Sequence, residues 1–279
     1  MLKVRASWIF KAALVLSAAL GCVGGAVADT VVIPSNAGSP GDFYTSHSAS
    51  GATVSVGTTG WTYANVRNDA TIGINTTFAR SGDGSVYLST TGTGDKADIM
   101  YGTEGSGPAL GLLSDFTSLS YDWYTQSSTV GGAAPSLRIY VGDGTHFGYL
   151  VWDPANNGSS LPTGAWQSGD AFTSGVGISG LYGTGNLPNG GGIVNSTPQS
   201  MVDWKALLTN YSVYGVNAGV GSGWNGNFVG AVDNIAFGFG ANSTTYNFEA
   251  VPEPSSVALA LIAGGAGLAE ALRRRRGSR

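Results

Sequence analysis

The sequence predicts an all-β protein, an antiparallel β-sandwich flanked by an N-terminal signal helix and a C-terminal transmembrane helix. Three observations carry this. Across 61–248, apolar residues alternate with polar ones in short runs broken by glycine-rich turns, the period-two pattern of strands with one buried face. Only one segment in that stretch, 201–210, has helical spacing. Each end of the chain carries an apolar run beside clustered positive charge.

Residues 1–28 read as a signal peptide. Lys3, Arg5 and Lys11 form a positive head, 12–23 an apolar run, and Ala26-Val27-Ala28 a small-x-small cleavage site. Cys22, the single cysteine, follows Ala19-Leu20-Gly21, where the leucine stands one place too late for a lipoprotein box. Cleavage after Ala28 leaves a domain without cysteine, so its stability must come from a packed core. Residues 29–249 are the predicted sandwich domain and 250–279 the tail. Between 29 and 250, five Lys and Arg face fifteen Asp and Glu, a net charge of −10. That excludes the basic footprint of a nucleic-acid binder and suits neutral sugars, polymer or divalent cations. About 220 residues suffice for one sizeable core.

The elements follow in order. Residues 29–60 are rich in Gly, Ser and Thr and read as a leader with one or two edge strands. The alternation begins at 61–66, and Gly82-Asp83-Gly84 turns the chain into a strand at 85–89. Leu119, Tyr121 and Trp123 alternate with Ser120, Asp122 and Tyr124, as Leu137, Ile139 and Val141 do with Arg138 and Tyr140. Asp143-Gly144 then sets a hairpin into 146–152. Residues 153–200, dominated by Asn, Gly, Pro and Ser, read as a long loop region with room for short strands. In 201–210, Trp204, Leu207 and Leu208 share a helical face and Asp203 is the expected cap. Strands resume at 212–220, 228–239 and 244–248.

In the tail, Pro252, Glu253 and Pro254 form an extended segment (251–256), because the prolines fix φ and disfavour helix before them. Residues 257–272 are apolar except for Glu270, and as a helix would span roughly 24 Å, slightly less than a hydrocarbon core. Arg273, Arg274, Arg275 and Arg276 close it as a cytoplasmic stop. This order of motif, apolar helix and arginines resembles the PEP-CTERM sorting signal of Gram-negative bacteria. The resemblance implies an exosortase-type processing enzyme and export machinery as partners, and transient anchoring in the inner membrane. It also implies a destination at the cell surface or in extracellular polymer, such as a biofilm matrix. An ordinary single-span anchor would share the helix chemistry and differ in the fate of the tail. The middle domain looks loosely similar to the jelly-roll sandwiches of lectins and carbohydrate-binding modules. That likeness rests on residues 81–88 and on Val232-Asp233-Asn234-Ile235-Ala236-Phe237 as a late strand.

Catalytic constellations are sparse. His47 and His146 are the only histidines, no G-x-S-x-G elbow occurs, and the domain has no cysteine to serve as nucleophile or zinc ligand. Gly175-Val176-Gly177-Ile178-Ser179-Gly180 matches a dinucleotide fingerprint but lacks its strand, helix and acidic partner. Glycoside hydrolysis needs two carboxylates, and the pairs available are Asp95 with Asp98, or Asp122 with Asp153. Asp233 shares parity with Ile235, so its charge is expected to point inward; a structural calcium joining it to Asp83 would offset the cost. Capping of turn amides is the alternative. Trp152, Trp166, Tyr182 and Trp224 lie in or beside loops rich in hydrogen-bonding partners, notably Asp153 and Asn156, and are the candidate glycan-binding residues. The sequence thus points to an exported, non-catalytic protein that binds exopolysaccharide or another glycan. A secreted carbohydrate-active enzyme built on an Asp pair is the alternative, as is a structural coat protein without ligand.

Overall fold

The computed structural model describes residues 27–34, 37, 38, 40–105, 107–172, 180–188, 198–221 and 226–250. The signal segment before Val27, Trp224, and most of the glycine fingerprint lie outside these residues, as does the tail with Pro252, Glu253, Pro254 and the four arginines. Along the chain run β1 (Val27–Val32), β2 (Tyr44–Thr45), β3 (Ala52–Ser55), β4 (Trp61–Arg67), β5 (Thr71–Asn75), β6 (Ser85–Thr90), β7 (Lys96–Gly102) and β8 (Gly111–Leu112). They are followed by β9 (Phe116–Ser128), β10 (Ser136–Gly142), β11 (Phe147–Trp152), β12 (Trp166–Asp170), β13 (Tyr182–Gly183), the helix α1 (Met201–Leu207), β14 (Ser212–Gly221), β15 (Phe228–Phe239) and β16 (Asn242–Phe248).

The strands form two sheets. In the first, β15 is central: β9 and then β12 lie along one edge, while β6 and β16 share the other edge end to end. Beyond β6 come β5 and β2, and beyond β16 comes β1. The second sheet runs β13-β11-β10-β14-β7-β4-β3, with β8 on the edge of β14. Apolar side chains from the inner faces fill the space between them. Trp61 of β4 meets Phe248 and Tyr246 of β16 edge-on at 4.9 and 5.1 Å, tying the two sheets together. Each such fully buried side chain stabilises the fold by about 1.5–3 kcal/mol.

The structure departs from the sequence expectation in three places, the sense of β1 and the cap and buried face of α1, and it locates the short strands of 153–200. β1 pairs parallel with β16, from Val27 opposite Ser243 to Val32 opposite Phe248, so the sandwich is not wholly antiparallel. No hairpin joins these two strands, so nothing forces the antiparallel sense. The region 153–200 contains β12 and β13 as well as loop. β12 shows no apolar alternation because its inward place at Gly169 is filled by the rings of Trp152 and Trp123. α1 is capped by Ser200 and not by Asp203: Ser200 Oγ accepts from the Asp203 amide at 3.1 Å and donates to Asp203 Oδ2 at 2.6 Å. Its buried face is Met201 and Trp204, with Trp204 Nε1 donating to the Leu181 carbonyl at 2.7 Å; Leu207 is exposed. Among the described residues no helix is long and apolar enough to cross a membrane.

Candidate functional site

Side chains that alternate away from the core project from two outer faces, and the outer face of the second sheet holds a buried charge cluster. Leu137 and Ile139 of β10 enter the core, so Arg138 between them points outward. Asp98 of β7 does the same between Ala97 and Ile99. Arg138 and Asp98 lie on strands separated by β14, and Gly219 of β14 stands between them. A Cβ at Gly219 would fall 2.1 Å from Asp98 Oδ1. With glycine there, Arg138 Nη1 reaches Asp98 Oδ1 at 2.6 Å, and Arg138 also donates to Ser136 Oγ (2.9 Å) and the Gly219 carbonyl (3.3 Å). Lys96 Nζ lies 3.0 Å from Asp98 Oδ2. Two of the domain's five cations therefore converge on one fully buried carboxylate.

Around this base stands a rim of hydrogen-bonding groups. β4 carries a bulge between Ala64 and Arg67, where Asn65 adopts φ 54°, a left-handed conformation that asparagine tolerates better than most residues. The bulge turns its amide toward two carboxylates: Nδ2 donates to Glu104 Oε1 at 2.6 Å and to Asp98 Oδ2 at 3.4 Å. Glu104 is exposed and also accepts the Tyr149 hydroxyl. Tyr140 packs edge-on to Tyr149 at 4.9 Å and stacks with Phe147 at 6.1 Å. Tyr182 sits beyond Val151 at the sheet's far edge.

Electrostatics fix the protonation of this group. Burial alone would lower the Arg138 pKa, but Asp98, Tyr149 and Tyr182 more than offset it, so the guanidinium stays charged. Burial, then Asp98 and Glu104, push Tyr149 far above the usual tyrosine range, which leaves its hydroxyl a donor. Burial followed by Asp153 raises Tyr182, and burial raises Asp153 itself. The result is a rigid charged floor under aromatic rings, a carboxylate and an amide, suited to holding a polar, uncharged ligand.

The candidate residues named from sequence do not converge. Tyr182 reaches this face, although it is nearly buried. Trp152 ends β11 with its ring in the core, 6.0 Å from Tyr121 and 6.1 Å from Trp123, so it meets no ligand surface. Trp166 lies on the other sheet. Asp153 Oδ1 accepts the Ala155 amide at 2.9 Å, and Asn156 is exposed in that turn. The carboxylate pairs also separate. Asp95 closes its own turn through Thr91 and Gly92, while Asp122 lies on β9 of the first sheet and Asp153 follows the end of β11 in the second. Asp233 does point inward, but its oxygens accept the amides of Asn234 (2.8 Å), Phe248 (3.0 Å) and Ser81 (3.3 Å). Asp83 is tied in by its amide, which donates to Glu249 Oε2 at 2.6 Å. Main-chain amides thus bond to the Asp233 oxygens, the arrangement set beside calcium as its alternative, and among the described residues no three His, Cys, Asp or Glu are grouped to hold a metal. His47 and His146 are exposed beside Asp69 and Asp143.

The sequence alone does not mark Lys96, Asp98, Arg138, Asn65, Glu104, Tyr140 and Tyr149 as one set. The available signal was scarcity: with five cations in the domain, a cation at an outward strand position is itself informative.

No family model matches the chain, and no curated protein matches its sequence. Three solved structures are similar to it in part. A family 11 carbohydrate-binding module from Clostridium thermocellum, in complex with a β-1,3-1,4-mixed-linked tetrasaccharide, shares 15% identity over 69% of this chain and 96% of its own, with a TM-score of 0.36. A β-1,2-glucanase from Parabacteroides distasonis shares 13% over 69% of this chain and 24% of its own, with a TM-score of 0.33. A carbohydrate-binding module of family 28, specific for non-crystalline cellulose, shares 15% over 75% of this chain and 97% of its own, with a TM-score of 0.22. All three scores are low, so function has to be read from this chain's own side chains.

Proposed function

We propose that the chain is an exported, non-catalytic protein whose sandwich binds a neutral glycan on the outer face of its second sheet. The observation that carries this is the Arg138–Asp98–Lys96 base rimmed by Asn65, Glu104, Tyr140 and Tyr149. A sugar presents C–H faces and many hydroxyls. Tyrosine rings cover the former at low entropic cost, and a carboxylate with an amide reads the latter. Net charge −10 disfavours an anionic polymer, so the ligand is a neutral polysaccharide. Asp98 has no exposed surface and both its oxygens are taken up by Arg138 and Lys96, so no substrate reaches it. That supports binding without turnover.

Export is supported by the two ends of the sequence: the signal-like head and the tail with Pro252, Glu253, Pro254 and Arg273 to Arg276. On this reading an exosortase-type enzyme processes the chain after brief residence in the inner membrane, and the domain then holds exopolysaccharide at the surface. Retention of the full chain in gels containing neutral polysaccharide, together with a reducing-sugar assay, tests the reading. Tyr149→Ala is expected to weaken binding roughly tenfold or more, the cost of truncating a central aromatic contact. Sugar release that disappears in Glu104→Gln would replace this reading with the enzymatic one.

A further inference from the structure

The outer face of the first sheet also carries a polar cluster beside aromatic rings. In cross-strand register, Asp170 of β12, Ser120 of β9, Ala236 of β15, Thr245 of β16 and Asp29 of β1 form one row. At about 4.8 Å per strand these five strands span roughly 19 Å. The small side chains in the middle leave a trough, part of a cavity of about 640 Å³. Its wall is a polar cluster on Asp122, which accepts from Arg80 Nε (3.0 Å), Asn234 Nδ2 (2.9 Å) and Ser168 Oγ. Asn234 sits at a bulge in β15 with φ 49°. It is the counterpart of Asn65 on the opposite face: an asparagine at a bulge, turned toward a carboxylate. Conformations of this kind persist where the surroundings enforce them and cluster at binding sites.

Next to the trough runs a ladder of aromatic rings: Trp166 to Tyr124 at 5.5 Å, Tyr124 to Phe78 at 4.8 Å, Phe78 to Tyr87 at 6.0 Å, and Tyr87 to Phe43 at 5.6 Å. The Arg80 guanidinium lies 5.8 Å from the Trp166 centroid and so joins the ladder to the polar wall. Carboxylates at Asp122 and Asp170 disfavour an anionic polymer. Hydroxyls and carboxylates beside aromatic rings match an uncharged, hydroxylated chain. We infer that this face is a second polysaccharide-binding surface, so that one domain holds two polymer strands on opposite sides and cross-links them. The inference rests on reading the domain as glycan-binding, but uses none of the residues of the first face.

The test uses the full chain with three neutral polymers: mixed-linkage β-glucan, laminarin and galactomannan. Retardation in polymer-containing native gels reads binding, and turbidity of the mixed solution reads cross-linking. One variant, Trp166→Ala with Tyr124→Ala, removes the ladder's outer end; another, Ser120→Trp, fills the trough from an outward position and leaves the core untouched. Tyr149→Ala disables the first face. The expected result is that either face alone still retards the protein, with roughly tenfold weaker retention, while turbidity disappears in every single-face variant. If Tyr149→Ala abolishes retardation and both first-sheet variants behave like the parent, the second surface is overturned and the first stands. If no polymer retards the parent, both readings fall together. If the first-sheet variants instead change the sedimentation of the sugar-free protein, the face is a contact between copies and the inference is wrong.

Discussion

Single residues decide whether the charged floor exists. Arg138 and Lys96 are partnered by one carboxylate, so removing it strands two cations in a buried place. Asp98→Ala is expected to cost about 3 kcal/mol or more, read in thermal unfolding as a fall of roughly 10 °C for a domain of this size. Gly219→Ala should do similar damage without touching a charge, because its Cβ would fall 2.1 Å from Asp98 Oδ1 and 2.4 Å from the Ala97 carbonyl. An unchanged melting curve in either variant would contradict the account of the floor. Asp233 and Glu249 make a different prediction. Burial, the strongest influence on each, brings both carboxyls up to about 7. The folded state therefore binds these protons more tightly than the unfolded chain does. Unfolding releases protons between about pH 4 and pH 7, and stability falls as pH rises through that window. Glu249→Gln can still accept the amides of Asp83 and Gly84, so the melting temperature should fall less between pH 5 and pH 8 than in the parent. An equally steep fall would contradict this. Parity in the sequence already placed Arg138 outward and Asp233 inward, but nothing local said what either would meet.

At the level of elements, long strands with strict alternation were legible and short ones were not. β15 spans Phe228–Phe239 as the pattern of Ile235, Phe237 and Phe239 predicts, and the hairpin from β10 into β11 follows Asp143-Gly144. β12 was hidden because rings from neighbouring strands fill its inward place, so its own residues carry no apolar period. The parallel pairing of β1 depends on where the C-terminal strand lies, which the N-terminal sequence does not encode. Bulges are similarly silent: Asn65 and Asn234 sit inside apparently regular runs. α1 offers a direct check on its reassigned cap. Ser200→Ala removes the acceptor for the Asp203 amide and should cost about 1 kcal/mol, or roughly 2–4 °C in melting temperature. Asp203→Ala should cost less, and the reverse order would restore the cap expected from sequence.

For the molecule as a whole, the sandwich was readable because burial against an inner face imposes a period on each strand. The proposed binding face was not, because it is made by register. Asp98 and Arg138 are 40 residues apart, and Asn65 and Glu104 are 39 apart, joined only once the strands align. Position beside a loop does not tell an outward ring from an inward one: Trp152 packs inside, whereas Trp166 is only partly buried, as are Tyr140 and Tyr149 at mid-strand. What results is a domain with a rigid core and two outward faces, each holding a carboxylate in a fixed polar cluster beside aromatic rings. The most direct measurement is calorimetric titration of the full chain with neutral polysaccharides and with an anionic one, repeated for Tyr149→Ala. Saturable heat with a neutral polymer, weak or absent with the anionic one, and reduced by Tyr149→Ala in protein that still unfolds cooperatively is the predicted result. No heat with any neutral polymer, or a Tyr149→Ala isotherm that overlays the parent's, would contradict it.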